Sequence, residues 1–141
     1  MLANKTVEPL CESHRGSVKQ LGIPKISNDQ SYYSCFTGDC SFSAIYLQAH
    51  TREDAQTFID RVYFKKDDSK TSVTVKIDSI TVRNGATNFG IRVYCVSSNT
   101  YTSYFGNQTS LTLSDASEIR IEATFNTAVD NYLCMNNVEV Y

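Results

Sequence analysis

Glu118-Ile119-Arg120-Ile121-Glu122-Ala123-Thr124-Phe125 decides the fold. Its apolar residues fall on every second position, the period that turns one set of side chains to a core and the other to water. The same alternation recurs upstream. Phe42–Ala49 reads as a strand with Ile45, Leu47 and Ala49 on one face, and Phe89, Ile91, Val93 and Cys95 alternate with Gly90, Arg92 and Tyr94. Val73, Val75 and Ile77 alternate with Thr74 and Lys76, after which Ile80 and Val82 resume out of phase. That slip at Asp78-Ser79 predicts a β-bulge or bend. Leu111 and Leu113 flank Thr112 in a short strand, and Val138 and Val140 face inward in the closing one. Arg83-Asn84-Gly85-Ala86 is a turn, with Asn-Gly suited to positive φ.

One segment reads two ways. Thr51-Arg52-Glu53-Asp54 has the form of a helical capping box, with Ala55, Phe58, Ile59 and Val62 at helical spacing. Phe58–Phe64 also alternates and is rich in β-formers. We prefer a strand from about Phe58, hairpinned to the Val73 strand through the polar run Lys65–Lys70. About seven or eight strands without intervening helices predict an all-β, antiparallel β-sandwich over residues 41–141.

Residues 1–40 differ. Their apolar residues Val7, Leu10, Val18, Leu21, Ile23 and Ile26 keep no period, and both prolines, Pro9 and Pro24, lie here. The stretch reads as an irregular N-terminal arm, ending in an aromatic, turn-rich loop around Tyr32 and Tyr33.

The 141 residues carry 41% hydrophobic and 20% charged residues with a net charge of −2. This is one domain's worth of foldable chain, not a disordered tail. Thirteen Lys and Arg against fifteen Asp and Glu leave no footprint for a nucleic-acid backbone or an anionic membrane surface. No apolar run is long enough to span a bilayer, and the chain as given opens without a signal peptide.

Chemistry is sparse. His14 and His50 stand in no ligand spacing, so no metal or other cofactor is expected. Asp67-Asp68 reads as a solvated turn. No nucleophile elbow or catalytic cysteine context is present, and Glu118 and Glu122 alternate with Arg120 as a charge-laced outer face. The expectation is a protein that is not an enzyme. Of five cysteines, Cys11, Cys35, Cys40, Cys95 and Cys134, at least one stays unpaired within a monomer. Reduced thiols are preferred. The alternative is a disulfide drawn from Cys35, Cys40, Cys95 and Cys134 in an oxidising compartment.

Aromatics give the strongest lead: nine tyrosines, seven phenylalanines and no tryptophan. Tyr32, Tyr33, Tyr101, Tyr104 and Phe105 fall in Ser/Thr/Gly/Asn-rich stretches read as loops. Tyrosine there suits an interface, although it also simply covers the ends of a sandwich.

Two resemblances follow. Cys134-Met135-Asn136-Asn137-Val138-Glu139-Val140-Tyr141 resembles the closing strand of jelly-roll sandwiches of the carbohydrate-binding-module type, which often end Asp-Asn-Val-x-Val. It implies a sandwich and permits a ligand role. The arm-plus-sandwich layout resembles viral and phage structural proteins such as decoration, tail and fibre subunits. That likeness implies a virion or extracellular assembly subunit. Val7, Leu10, Val18, Leu21, Ile23 and Ile26 would then dock on copies of itself or on other particle subunits. The alternative is a carbohydrate-binding or adhesion module using Tyr32, Tyr33, Tyr101, Tyr104 and Phe105.

Overall fold

A computed structural model describes the backbone over residues 7–10, 25–27, 30–36, 40–51, 57–126 and 130–141, and side chains over 41–49, 59–126 and 130–141. The strands are β1 (Val7–Leu10), β2 (Lys25–Ser27), β3 (Gln30–Phe36), β4 (Cys40–Thr51), β5 (Thr57–Lys65), β6 (Val73–Val82), β7 (Phe89–Cys95), β8 (Thr100–Phe105), β9 (Gln108–Asp115), β10 (Glu118–Phe125) and β11 (Asn131–Val140). Among the described residues no helix is long and apolar enough to cross a membrane.

The fold is all-β. Its main path runs β8-β7-β10-β5-β4-β11-β6-β9, with every neighbouring pair antiparallel. One leaf holds β4, β11, β6 and β9, and the other holds β5, β10, β7 and β8. They join where the end of β4 meets the start of β5, through Ala49↔Ile59, His50↔Phe58 and Thr51↔Thr57. At that joint the buried Asp60 carboxylate accepts the Gln48 backbone N–H at 3.0 Å. From β4 onward successive strands change leaf, apart from the β7–β8 hairpin, which gives a jelly-roll-like order.

Between the leaves lie Phe42, Ile45 and Leu47 of β4, Val62 and Phe64 of β5, Val75, Ile77 and Ile80 of β6, Ile91 of β7, Ile119 and Ile121 of β10, and Leu133 and Val138 of β11, all buried. Each such side chain contributes about 1.5–3 kcal/mol relative to exposure.

The bend expected at Asp78-Ser79 is real and crosses the leaf. Val73, Val75 and Ile77 point inward, and inward pointing resumes at Ile80 and Val82. The neighbouring strands take the same half-step. In β11, Met135 and Val138 are inward with Asn136 and Asn137 between them. In β4, Ile45 and Phe42 are inward with Ala44 and Ser43 between them. In β9 the step falls at Ser110, between the pairs Ile77↔Leu111 and Ser79↔Thr109. Asn137 and Ser110 take positive φ, 51° and 27°. Because all four strands step together, their register survives. Asn136 Nδ2 ties the line by donating to Ser79 Oγ at 3.1 Å and Thr81 Oγ1 at 3.2 Å. Asn137→Val, a β-branched residue in the left-handed region, should cost about 1–2 kcal/mol, while Asn137→Gly should stay within about 0.5 kcal/mol. Chemical unfolding of the two variants checks this.

Two expectations are corrected. β5 and β6 do not form a hairpin: each buries one face against the opposite leaf, so the polar segment between them crosses from leaf to leaf. The strand preferred from about Phe58 is present, beginning at Thr57, and residues 52–56, where the capping-box reading falls, lie outside the described residues. Tyr101, Tyr104 and Phe105 lie in β8, and Tyr32 and Tyr33 in β3, not in loops. A strand at the sheet edge tolerates a Ser/Thr/Tyr composition that reads as loop.

The described parts of residues 1–40 pair within the chain. Val7 and Leu10 lie in β1, antiparallel to β4 through Val7↔Ile45 and Leu10↔Ser41. Ile26 lies in β2, opposite Ser31, and β3 runs parallel to β5 with Tyr32↔Arg61 and Tyr33↔Val62. Cys11, Val18, Leu21 and Ile23 lie outside the described residues.

Candidate functional site

The outward face of β5, β10, β7 and β8 is built from two tripeptides and one alternating strand. Arg61-Val62-Tyr63 and Arg92-Val93-Tyr94 are the same tripeptide, on the two strands that flank β10. Each buries its valine and turns its arginine and tyrosine outward. Strand register then forms two cross-strand rows. One runs Arg61, Glu122, Arg92, Ser103, and the other Tyr63, Arg120, Tyr94, Tyr101.

In the first row Glu122 is shared: Arg61 Nε donates to Oε1 at 2.6 Å, and Arg92 Nη2 pairs with Oε2. The Glu122 side chain is 14% exposed, so the expected solvated charge face is at this point a covered ion pair. In the second row the planar groups stack. Tyr101 stacks on Tyr94 with centroids 4.4 Å apart, and Arg92 reaches across from the first row to lie over the Tyr101 ring at 5.2 Å. Arg120 lies 5.7 Å from the Tyr94 centroid and 5.2 Å from that of Tyr63. Arg120 Nε also donates to Glu118 Oε2 at 3.1 Å. This bond holds the Arg120 guanidinium above its ordinary pKa against the opposing effect of desolvation, with the Glu118 charge and the Tyr63 and Tyr94 hydroxyls adding to it. Ion pairs with one partner this solvated, as in Arg120–Glu118, contribute under about 1 kcal/mol, so what that pair supplies is geometry more than stability.

Between the rows lies an open cavity of ≈ 270 Å³ lined by Arg61, Tyr63, Arg92, Tyr94, Tyr101, Arg120, Ile121 and Glu122. Tyr101, 60% exposed, forms its rim. Tyr94 Oη donates to Asn99 Oδ1 at 3.1 Å, fixing that ring from the β7–β8 turn.

Of the tyrosines named from sequence, only Tyr101 is in this site by described contacts. Tyr104 has the opposite phase in β8 and packs, half-buried, against the core, and Phe105 is half-buried at the strand end. Tyr32 and Tyr33 are placed by backbone alone, Tyr32 in register with Arg61. Sequence reasoning missed Arg61, Tyr63, Arg92, Tyr94, Arg120 and Glu122 as a site. The signal available was the repeated Arg-Val-Tyr tripeptide.

Cys95 and Cys134 are free thiols in different leaves, so the disulfide alternative is not formed between them. Burial pushes both thiols up in pKa, and the Asp115 carboxylate adds to the effect at Cys95. At neutral pH both are protonated and poor nucleophiles. The Cys35 and Cys40 side chains and both histidine side chains lie outside the described residues. Among the described residues no group of three or more His, Cys, Asp or Glu is placed to hold a metal ion.

No protein-family model matches the chain, and no curated protein matches it in sequence. Solved structures do match. The pre-peptidase C-terminal domain of a Bacillus anthracis collagenase is 11% identical with a TM-score of 0.46, over 83% of this chain and 99% of that one. The insecticidal delta-endotoxin Cry8Ea1 of Bacillus thuringiensis is 12% identical with a TM-score of 0.29, over 73% of this chain and 19% of that one. A carbohydrate-binding module from Cellvibrio mixtus lichenase 5A, solved with cellotriose, is 6% identical with a TM-score of 0.23, over 96% of each chain. The first and third are β-rich folds, as this chain is. The likeness to viral and phage structural subunits is not shown by these neighbours.

Proposed function

We propose that this chain is a non-enzymatic glycan-binding module that takes its ligand on the outer face of β5, β10, β7 and β8. The observation that carries this reading is the open cavity whose walls alternate tyrosine rings with arginine and glutamate groups fixed on rigid strands. A sugar ring needs an apolar surface for its C–H face and paired donors and acceptors for its vicinal hydroxyls. The part of the Tyr101 ring left exposed beside its contacts with Tyr94 and Arg92 offers the first, and the Arg61–Glu122–Arg92 row offers the second at strand spacing. A cavity of ≈ 270 Å³ that is open to solvent suits one or two sugar units and a dissociation constant on the order of 10–1,000 μM.

The assembly reading has no observation of its own. Val7, Leu10 and Ile26 lie in strands hydrogen-bonded within the chain, where docking on a neighbour calls for an unpaired arm.

Calorimetric titration with a panel of neutral and acidic oligosaccharides tests the proposal. Tyr101→Ala should weaken binding at least tenfold with little change in melting temperature, because the ring is largely exposed. Tyr46→Ala, which removes an exposed ring of the other leaf, should leave affinity unchanged. Equal losses in both variants, or no saccharide bound, contradict the proposal.

A further inference from the structure

We propose that Arg120 is the anchor for an acidic group on the glycan, a carboxylate or a sulfate ester, so that this face selects acidic over neutral saccharides. The inference rests on the glycan reading above and names its ligand class.

Three contacts fix the guanidinium. Nε donates to Glu118 Oε2 at 3.1 Å, and the rings of Tyr63 and Tyr94 lie within 5.2 and 5.7 Å. None of these uses the two Nη groups as hydrogen-bond donors, and no acceptor among the described residues reaches them. The side chain is 43% exposed and borders the cavity, so the free edge of the fork is open to a ligand. An arginine in this state presents two parallel N–H donors at the spacing of an oxyanion's oxygens, with most of its side-chain entropy already lost.

The surrounding charge agrees. Glu122 is divided between Arg61 and Arg92, and Glu118 is occupied by Arg120 Nε. Arg61, Arg92, Arg120 and Lys65, the last opposite Glu118 in register, stand against two glutamates and leave the face positive by two on a chain of net charge −2. General attraction of polyanions by the whole molecule is therefore not expected, and selectivity for an acid must be local.

The test compares trigalacturonate, its fully methyl-esterified form and a sulfated galactose oligosaccharide on the unaltered chain by calorimetry. Trigalacturonate or the sulfated sugar should bind at least tenfold more tightly than the ester, and the two arms tell carboxylate from sulfate. Arg120→Lys keeps the charge and removes the planar fork, and it should abolish that preference while melting within a few degrees of the parent. Equal affinity for acid and ester, or an acid preference untouched in Arg120→Lys, overturns this inference and leaves the glycan reading in place. Failure of every saccharide, neutral ones included, overturns both.

Discussion

Gly90→Ala is expected to melt roughly 10 °C below the parent chain and to lose saccharide binding with it. A Cβ at position 90 would stand 1.9 Å from the Tyr104 carbonyl oxygen and 2.7 Å from the Phe105 Cα. Both atoms belong to the backbone of β8, so no rotamer change relieves the clash. Among the described strands β8 pairs only with β7, and it is the element that must yield. Overpacking of this kind costs about 3 kcal/mol. Displacing β8 also moves Tyr101 off Tyr94, which dismantles the cavity rim. Circular-dichroism melting and a saccharide titration read the two effects. A variant that melts like the parent contradicts the close approach of β7 and β8.

Asp115→Ala should lower stability by about 3 kcal/mol, and Asp115→Asn by about 2 kcal/mol. The carboxylate is buried and clamps two turns at one end of the sandwich. It accepts the Ser97 hydroxyl at 2.7 Å and the backbone N–H groups of Ser97, Ser117 and Glu118, the last two at 2.8 and 2.9 Å. Burial alone would raise its pKa. The bonds from Ser97, Glu118 and Ser117 outweigh burial and hold the group below the ordinary carboxylate value. A depressed folded-state pKa contributes stability that is complete above the unfolded value of about 3.9 and is lost as pH falls through the folded value. Urea unfolding between pH 6 and pH 2 should therefore show a fall in stability below about pH 4 that is shallower in Asp115→Asn. Parallel acid limbs in the two proteins contradict the clamp.

How much of this was legible in the sequence depends on how local the signal was. Ile119, Ile121 and Ala123 announce their strand because burial on one face imposes a period of two, and all three are buried. The step at Asp78-Ser79 was legible because strong β-formers stand on both sides of it. Its counterparts at Ser43-Ala44 and Asn136-Asn137 were hidden, because Ala and Asn interrupt the apolar rhythm there. The site was illegible for a different reason. Arg61, Arg92 and Glu122 are far apart in the chain and meet only through the order β5-β10-β7-β8, which crossovers between leaves create and local patterning does not encode. Glu122, flanked by apolar residues, reads as a solvent-facing charge whether or not arginines cover it. Tyr101 and Tyr104, three residues apart, were grouped as one feature, yet a strand turns them to opposite faces.

The most direct test of the glycan-binding face is a titration followed by NMR, with the labelled chain and the tightest-binding saccharide of the panel. Backbone and side-chain resonances of Arg61, Tyr63, Arg92, Tyr94, Tyr101, Arg120 and Glu122 should shift together with one binding constant, while Tyr46 and Tyr132 on the other leaf stay still. Shifts confined to any other surface, or no shift on the outer face of β5, β10, β7 and β8 with any saccharide, would contradict it.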